Sequence, residues 1–116
     1  MVNGQNSKQY DLEARTLEFA KKTRLFVKTL PKTIANIEDG KQLIRSSGSI
    51  GANYIEANEA LSKKDFLMRI KIARKEAKET AYWLQLIDTE KEEPEILFKE
   101  ARELMMILSA IMRKSE

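Results

Sequence analysis

The fold is decided by residues 42–86, QLIRSSGSIGANYIEANEALSKKDFLMRIKIARKEAKETAYWLQL. The second half of this stretch carries a heptad pattern, in which small or apolar residues recur at alternating intervals of four and three. Its positions are Phe66, Ile70, Ala73, Ala77, Thr80, Leu84 and Ile87. Such a pattern is typical of a helix that packs against other helices. We predict a helix over residues 63–89, started by a capping box of Ser62 and Asp65.

The first half of the stretch predicts another helix, over residues 41–61, with an unusual flank. Its core row comprises Leu43, Ser47, Ile50, Tyr54, Ala57 and Leu61. Gly48 and Gly51 lie on the neighbouring row, and a glycine inside a helix costs about 1 kcal/mol relative to alanine. Either another helix approaches these glycines closely, which assigns Gly48 and Gly51 to the oligomer interface, or they bend the helix.

A polar row on the same helix contains Arg45, Ser49, Asn53 and Glu56. These side chains either form a hydrogen-bond network or stand separately in water. The row therefore belongs either to the free surface or to a subunit interface.

The flanking segments supply two more helices. Residues 8–29 carry the row Leu12, Thr16, Phe19, Thr23, Phe26 and Leu30, which Pro31 ends. Residues 31–40 predict a packed turn or a short helical lead-in, with a break or a bend at Asp39 and Gly40. Residues 94–113 begin at Pro94 and carry the row Leu97, Ala101, Leu104, Leu108 and Ile111.

Four helices joined by short connections predict an all-α fold, an antiparallel up-down-up-down four-helix bundle. Residues 8–116 are expected to form this single domain, and residues 1–7, MVNGQNS, a disordered N-terminus. A chain of 116 residues is long enough to bury a core without disulfides or metal.

The composition removes many kinds of chemistry. The chain has no Cys and no His, whereas zinc sites, activated nucleophiles and di-iron bundles need one or the other. We expect no catalytic residues, no metal and no cofactor, with a carboxylate acid–base pair as a remote alternative. The sequence shows neither an apolar stretch long enough to enter a membrane nor a signal peptide, so a cytoplasmic protein is expected.

Charge is distributed unevenly along the chain. Residues 1–40 carry 7 Lys/Arg and 5 Asp/Glu, residues 41–78 carry 9 and 4, and residues 79–116 carry 5 and 9. The basic middle third indicates either a face that binds polyanions or a helix that pairs with acidic ones. Its densest part is a ridge of Lys71, Arg74, Lys75 and Lys78, hereafter the basic ridge.

The third helix also carries a second set of apolar residues: Met68, Ile72, Tyr82, Trp83 and Leu86. At 100° per residue, we expect this set roughly 130 to 210° from the heptad row. A helix that is apolar on two opposed faces is normally buried on both, which predicts a homo-oligomer interface through Met68, Ile72, Trp83 and Leu86. Alternatively, a loop or terminus of the same chain covers the second face.

Two motifs in this region resemble a known family. Gln42, Arg45, Ser49, Ile50, Asn53 and Glu56, followed by ARKEAKETAYWLQL at residues 73–86, are similar to the bacterial four-helix-bundle proteins encoded in intervening sequences of large-subunit ribosomal RNA genes. The chain has Gly51 where that family commonly has Pro, and Ala57 where it commonly has Gly. The resemblance implies a closed ring of subunits, a homopentamer, with suspected nucleic-acid binding and no established enzymatic activity.

Two functions follow as hypotheses. In the first, a non-enzymatic oligomer binds structured RNA or DNA with weak sequence preference through the basic ridge, with Arg45 as an additional member. In the second, the protein is a scaffold or accessory subunit for a protein partner, as the similar accessory proteins of diversity-generating retroelements are for a reverse transcriptase.

Overall fold

The computed structural model describes residues 11–116, and these form four α-helices. The helices are α1 (Leu12–Lys28), α2 (Ile34–Asn58), α3 (Lys63–Leu86) and α4 (Glu93–Ser115). No strand occurs in the described part of the chain. The all-α, four-helix prediction is confirmed, whereas assembly into a ring stays a prediction. The predicted disordered segment, residues 1–7, and the predicted start of the first helix at residue 8 lie outside the described residues.

Consecutive helices pack side by side in opposite directions. Asn58, the last residue of α2, donates a hydrogen bond to Glu13 near the start of α1 (2.9 Å). Lys63, the first residue of α3, donates to the backbone carbonyl of Glu116 just beyond α4 (3.1 Å). The helices α2 and α4 both pack extensively against α3, while α1 packs mainly on α2 and touches α4 less. With extents of 44 × 33 × 19 Å, the molecule is about two helices thick.

The core consists of the rows that the spacing predicted. Every predicted core position of α1 is buried, and so are most of those on the other three helices. The buried members on α2, α3 and α4 are Leu43, Ser47, Ile50, Ala57, Ile70, Ala73, Ala77, Thr80, Leu84, Ile87, Leu97, Ala101, Leu104 and Leu108. Leu61 is the clear error: it follows the end of α2 and is 99% exposed.

Side chains cap the starts of three helices. The oxygens of Asp11, Thr33 and Ser62 each accept a hydrogen bond from the backbone N–H three residues later, at 3.0 to 3.1 Å. The acceptor contributed by Ser62 confirms the predicted capping contact with Asp65. In α4, Pro94 lies in the first turn, where its missing N–H would have no helical partner.

The predicted break at Asp39 and Gly40 is wrong, because α2 runs uninterrupted from Ile34 through both residues. Gly40 is buried, and a Cβ atom built on it would lie 3.0 Å from Cγ1 of Val27 in α1. A side chain here would require Val27 to shift by a few tenths of an ångström, so the close approach of α1 favours glycine. The close contact offsets the low helix propensity that had suggested a break.

The other helix ends differ from the predictions by a few residues. The second and third helices end at Asn58 and Leu86, three residues earlier than predicted, and α4 continues to Ser115. End positions depend on local capping, which core periodicity does not encode.

Gly51 lies where α1 approaches α2 closely. A Cβ atom at this position would lie 2.7 Å from Oγ1 and 3.1 Å from Cβ of Thr16. Thr16 is buried, and its hydroxyl donates to the carbonyl of Leu12 at 2.9 Å, so it has little freedom to move. A Cβ at Gly48 would instead make ordinary contact with the flexible guanidinium of Arg24, at 3.5 Å. The helix that approaches Gly51 belongs to the same chain, and a role for either glycine in an oligomer interface stays a prediction.

The two glycines should respond oppositely to alanine. Gly48→Ala should raise the free energy of unfolding by up to about 1 kcal/mol, because it improves helix propensity without a clash. Gly51→Ala should lower it, and Gly51→Leu should lower it by at least roughly 1 to 3 kcal/mol, because α1 must shift. Urea unfolding followed by circular dichroism measures both. Equal effects of the two alanine substitutions would contradict the packing account.

Candidate nucleic-acid interface

The basic ridge lies on the outer surface of α3. Lys71, Lys75 and Lys78 are exposed and Arg74 is half-buried, while the heptad row on the opposite side of the helix is buried. The seven steps from Lys71 to Lys78 span about 10 Å along the helix axis. The structure thus places all four predicted side chains within two turns on the solvent side of one helix.

The basic ridge is not neutralised within the described chain. Among residues 11–116, none of its four cations forms an ion pair. Glu79 stands four residues after Lys75, the spacing at which helical side chains can pair. Its carboxylate is turned to a different partner, on α2.

That partner is Arg45, which joins α2 to two carboxylates of α3. Its Nη1 donates to Oε1 of Glu76 at 3.3 Å, and its Nη2 donates to Oε1 of Glu79. The Arg45 side chain is 47% exposed, and those of Glu76 and Glu79 are 20% and 42% exposed. Arg45 was predicted as an additional phosphate-binding residue. In the structure its charge is already compensated by two carboxylates, so we place it beside the basic ridge rather than in it.

The remaining polar row of α2 forms a short network. Ser49 donates to the carbonyl of Arg45, and Asn53 donates to the carbonyl of Ser49, both at 2.9 Å. Arg69 of α3 donates to the side-chain oxygen of Asn53 at 3.2 Å. The predicted network, in which Arg45 and Glu56 bind through Ser49 and Asn53, does not form: the Arg45 side chain binds the two carboxylates of α3 instead, and Glu56 is exposed.

The second apolar face of α3 is less continuous than predicted. Met68, Tyr82 and Leu86 are about half exposed, but Ile72 and Trp83 are partly buried and Trp83 packs against the core of its own chain. Trp83 lies about 100° from the buried Leu84, at the flank of the core row rather than opposite it.

Trp83 also meets Tyr82 edge-on, with ring centroids 5.3 Å apart. Its indole Nε1 is buried and has no hydrogen-bond acceptor within residues 11–116. The prediction that Trp83 lies at a subunit interface assumed an exposed side chain, whereas the structure shows a partly buried one.

The sequence did not predict the groove that lies between α1 and α2. The small residues Gly48, Gly51 and Ala52 line it, together with the exposed side chains of Leu17 and Ile55. The sequence contained one sign of this groove: Leu17 is apolar but lies outside the core row of α1. The helix therefore carries apolar side chains that its own core does not use.

No group of three or more Asp or Glu side chains in the described part of the chain is arranged to hold a metal ion. Within residues 11–116, none of the helices combines the length and the hydrophobicity needed to cross a bilayer.

Burial raises the pKa of the Glu76 carboxyl above its ordinary value, with Arg45 opposing that shift and Glu79 adding to it. The ionised form of Glu76 is therefore destabilised by its position beside the bundle core.

Comparisons with known proteins agree with the architecture. The sequence model described as 23S rRNA-intervening sequence protein matches residues 8–114. A crystal structure described as a protein with unknown function from the S23 ribosomal protein family of Bacteroides thetaiotaomicron VPI-5482 superposes with a TM-score of 0.75. The two chains are 35% identical, and the match covers 86% of this chain and 96% of the other. No curated protein matches the chain.

The raised pKa of Glu76 predicts a pH-dependent effect of Glu76→Gln. Because the folded state favours protonated Glu76, stability falls as pH rises from the ordinary carboxyl value of 4.5 through the higher folded value. The parent should therefore gain stability relative to the variant as pH falls from about 7 to about 4. Urea unfolding of both proteins across this range measures the difference. A difference that is constant, or that changes in the opposite direction, would contradict the assignment.

Proposed function

This chain belongs to the 23S rRNA-intervening sequence protein family, and we propose that it is a non-enzymatic oligomer that binds nucleic acid through the basic ridge of α3. One observation carries the proposal: four cations lie within about 10 Å on one helix, and none has an ion-pair partner in residues 11–116. The carboxylates beside them, on Glu76 and Glu79, are held by Arg45.

The spacing of the basic ridge suits a phosphate backbone. Each strand of a duplex presents one phosphate per about 3.4 Å of axis, so a ridge about 10 Å long faces about three of them. Neutralising these phosphates releases condensed counterions, which provides affinity without any contact to bases. No aromatic residue occurs between Lys71 and Lys78, so base stacking along the ridge is not available. Binding should therefore show weak sequence preference.

Assembly would multiply this charge. We propose that subunits form a ring, a homopentamer as the resemblance implied, because the chain exposes two unlike apolar surfaces. One comprises the apolar ends of α3, with Met68 near its start and Tyr82 and Leu86 near its end, and the other is the groove between α1 and α2 beside Leu17 and Ile55. Unlike surfaces that meet head to tail generate closed rings when the rotation between subunits permits it. A ring would repeat the basic ridge once per subunit.

A second candidate function rests on the α1–α2 groove alone. If a different protein, rather than another copy, occupies this groove, the chain is a scaffold or accessory subunit, for example of a reverse transcriptase. The exposed side chains of Leu17 and Ile55 beside this groove favour this alternative, because the apolar face of a partner helix could pack against them.

Charge reversal of the basic ridge tests nucleic-acid binding. The parent should bind duplex and structured RNA at about 50 mM salt, with log affinity falling linearly in log salt by about 0.9 per duplex phosphate. The variant K71E/R74E/K75E/K78E should lose binding. Fluorescence anisotropy with two unrelated sequences measures affinity, salt slope and sequence preference.

A matched control keeps the change in net charge equal. The variant K28E/K32E/K91E/K114E reverses four exposed lysines outside the basic ridge and the α1–α2 groove, and it should retain most of the affinity. If both variants lost affinity equally, net charge rather than the basic ridge would explain the binding. Absence of binding by the parent would favour the scaffold function.

The exposed apolar residues of α3 predict the oligomeric state. The parent should sediment well above the mass of its 13.4 kDa subunit. M68D/L86D should shift it toward the monomer without loss of helix content, because both side chains are about half exposed in the single chain. As a control, L61D alters an exposed leucine outside this face and should leave assembly unchanged. A monomeric parent at micromolar concentration would overturn the ring.

A further inference from the structure

We infer that Arg45 is a positioning residue of the nucleic-acid site: it binds Glu76 and Glu79 and thereby keeps their carboxylates away from the basic ridge. This inference rests on the proposed function and adds a residue that touches no phosphate. It predicts that loss of Arg45 weakens binding through the carboxylates that it releases.

The geometry provides the first step. Glu79 lies one turn after Lys75, so their side chains can meet on the α3 surface, where residues four apart are about 5 to 6 Å apart at Cβ. In the structure the Glu79 carboxylate pairs instead with Arg45, across the α2–α3 contact. Glu76 is held by the other branch of the same guanidinium. One side chain on α2 thus binds both carboxylates that lie among residues 71–79.

Electrostatics provides the second step. With Arg45 present, the cluster of Arg45, Glu76 and Glu79 carries a net charge of about −1, whereas without Arg45 it carries about −2 beside the ridge. Free Glu79 would also compete with phosphate for Lys75. Interactions between exposed charges persist over about 10 Å at 0.1 M salt, and the distance from Glu79 to Lys75 lies well within that range.

Two other roles for Arg45 give different results. If Arg45 contacts phosphate directly, its loss removes a contact that no change at Glu79 can restore. If Arg45 only holds α2 against α3, its loss lowers the free energy of unfolding, and binding weakens only as far as the protein loses stability. The positioning role alone predicts that removal of the released carboxylate restores binding.

The experiment compares four variants in about 0.1 M salt, where the Debye length is about 10 Å. R45M should weaken binding of a labelled duplex several-fold, and R45K should stay near the parent because lysine can still pair with Glu79. R45M/E79Q should return to within about twofold of the parent. R45M/E56Q has the same net charge but should remain weak, because Glu56 is exposed and lies about 16 Å along α2 from position 45.

Thermal unfolding of each variant provides the structural readout. The expected pattern is restoration of affinity in R45M/E79Q without restoration of melting temperature. Parent-like affinity of R45M would overturn the inference and leave the proposed function standing, and so would equal recovery in both double variants. No binding by the parent would overturn the proposed function and this inference with it. If R45M fails to fold, R45Q and R45Q/E79Q replace it: R45Q should weaken binding and R45Q/E79Q should restore it, and absence of recovery would overturn the inference.

Discussion

The rest of the structure depends on the burial of one face of α3 between α2 and α4. Its inner positions Ala73 and Ala77 are fully buried and small, so the neighbouring helices can approach its backbone closely. Such packing leaves no space for long side chains on the inner face. The lysines and Arg74 must therefore project outward or toward the flanks. The same constraint that builds the core thus concentrates positive charge on the opposite surface of one helix.

Arg45 connects this core arrangement to the surface chemistry. An exposed ion pair stabilises a fold by at most about 1 kcal/mol, so the contact with Glu76 and Glu79 is a weak reason for α2 and α3 to associate. Apolar burial around Leu43 and Ile50 already accounts for that association. The electrostatic consequence is larger, because the pairing changes the local charge that an approaching phosphate meets. A surface residue can in this way influence a binding site more than it influences stability.

The sequence predicted those parts that depend on periodicity within one helix. All six core positions of α1 were identified because a buried face repeats every three or four residues. Features that depend on contacts between helices could not be predicted from the pattern of one helix. Gly40 suggested a break because Val27, the residue that it packs against, belongs to another helix. Arg45 resembled a free cation for the same reason, since its partners lie 31 and 34 residues away. Trp83 was expected to be exposed in a single chain, but its flank of the helix packs against the core.

The two roles proposed for α3 need different parts of its surface. Met68 and Leu86 lie near opposite ends of the helix, about 27 Å apart along its axis. Lys75 and Glu79 stand between them on the same row, so an interface along the whole row would have to bury a lysine and an ion pair. Desolvating such charges costs several kcal/mol per ion unless new partners compensate. This cost favours subunit contacts at the apolar ends of α3 and leaves its charged middle open to phosphate.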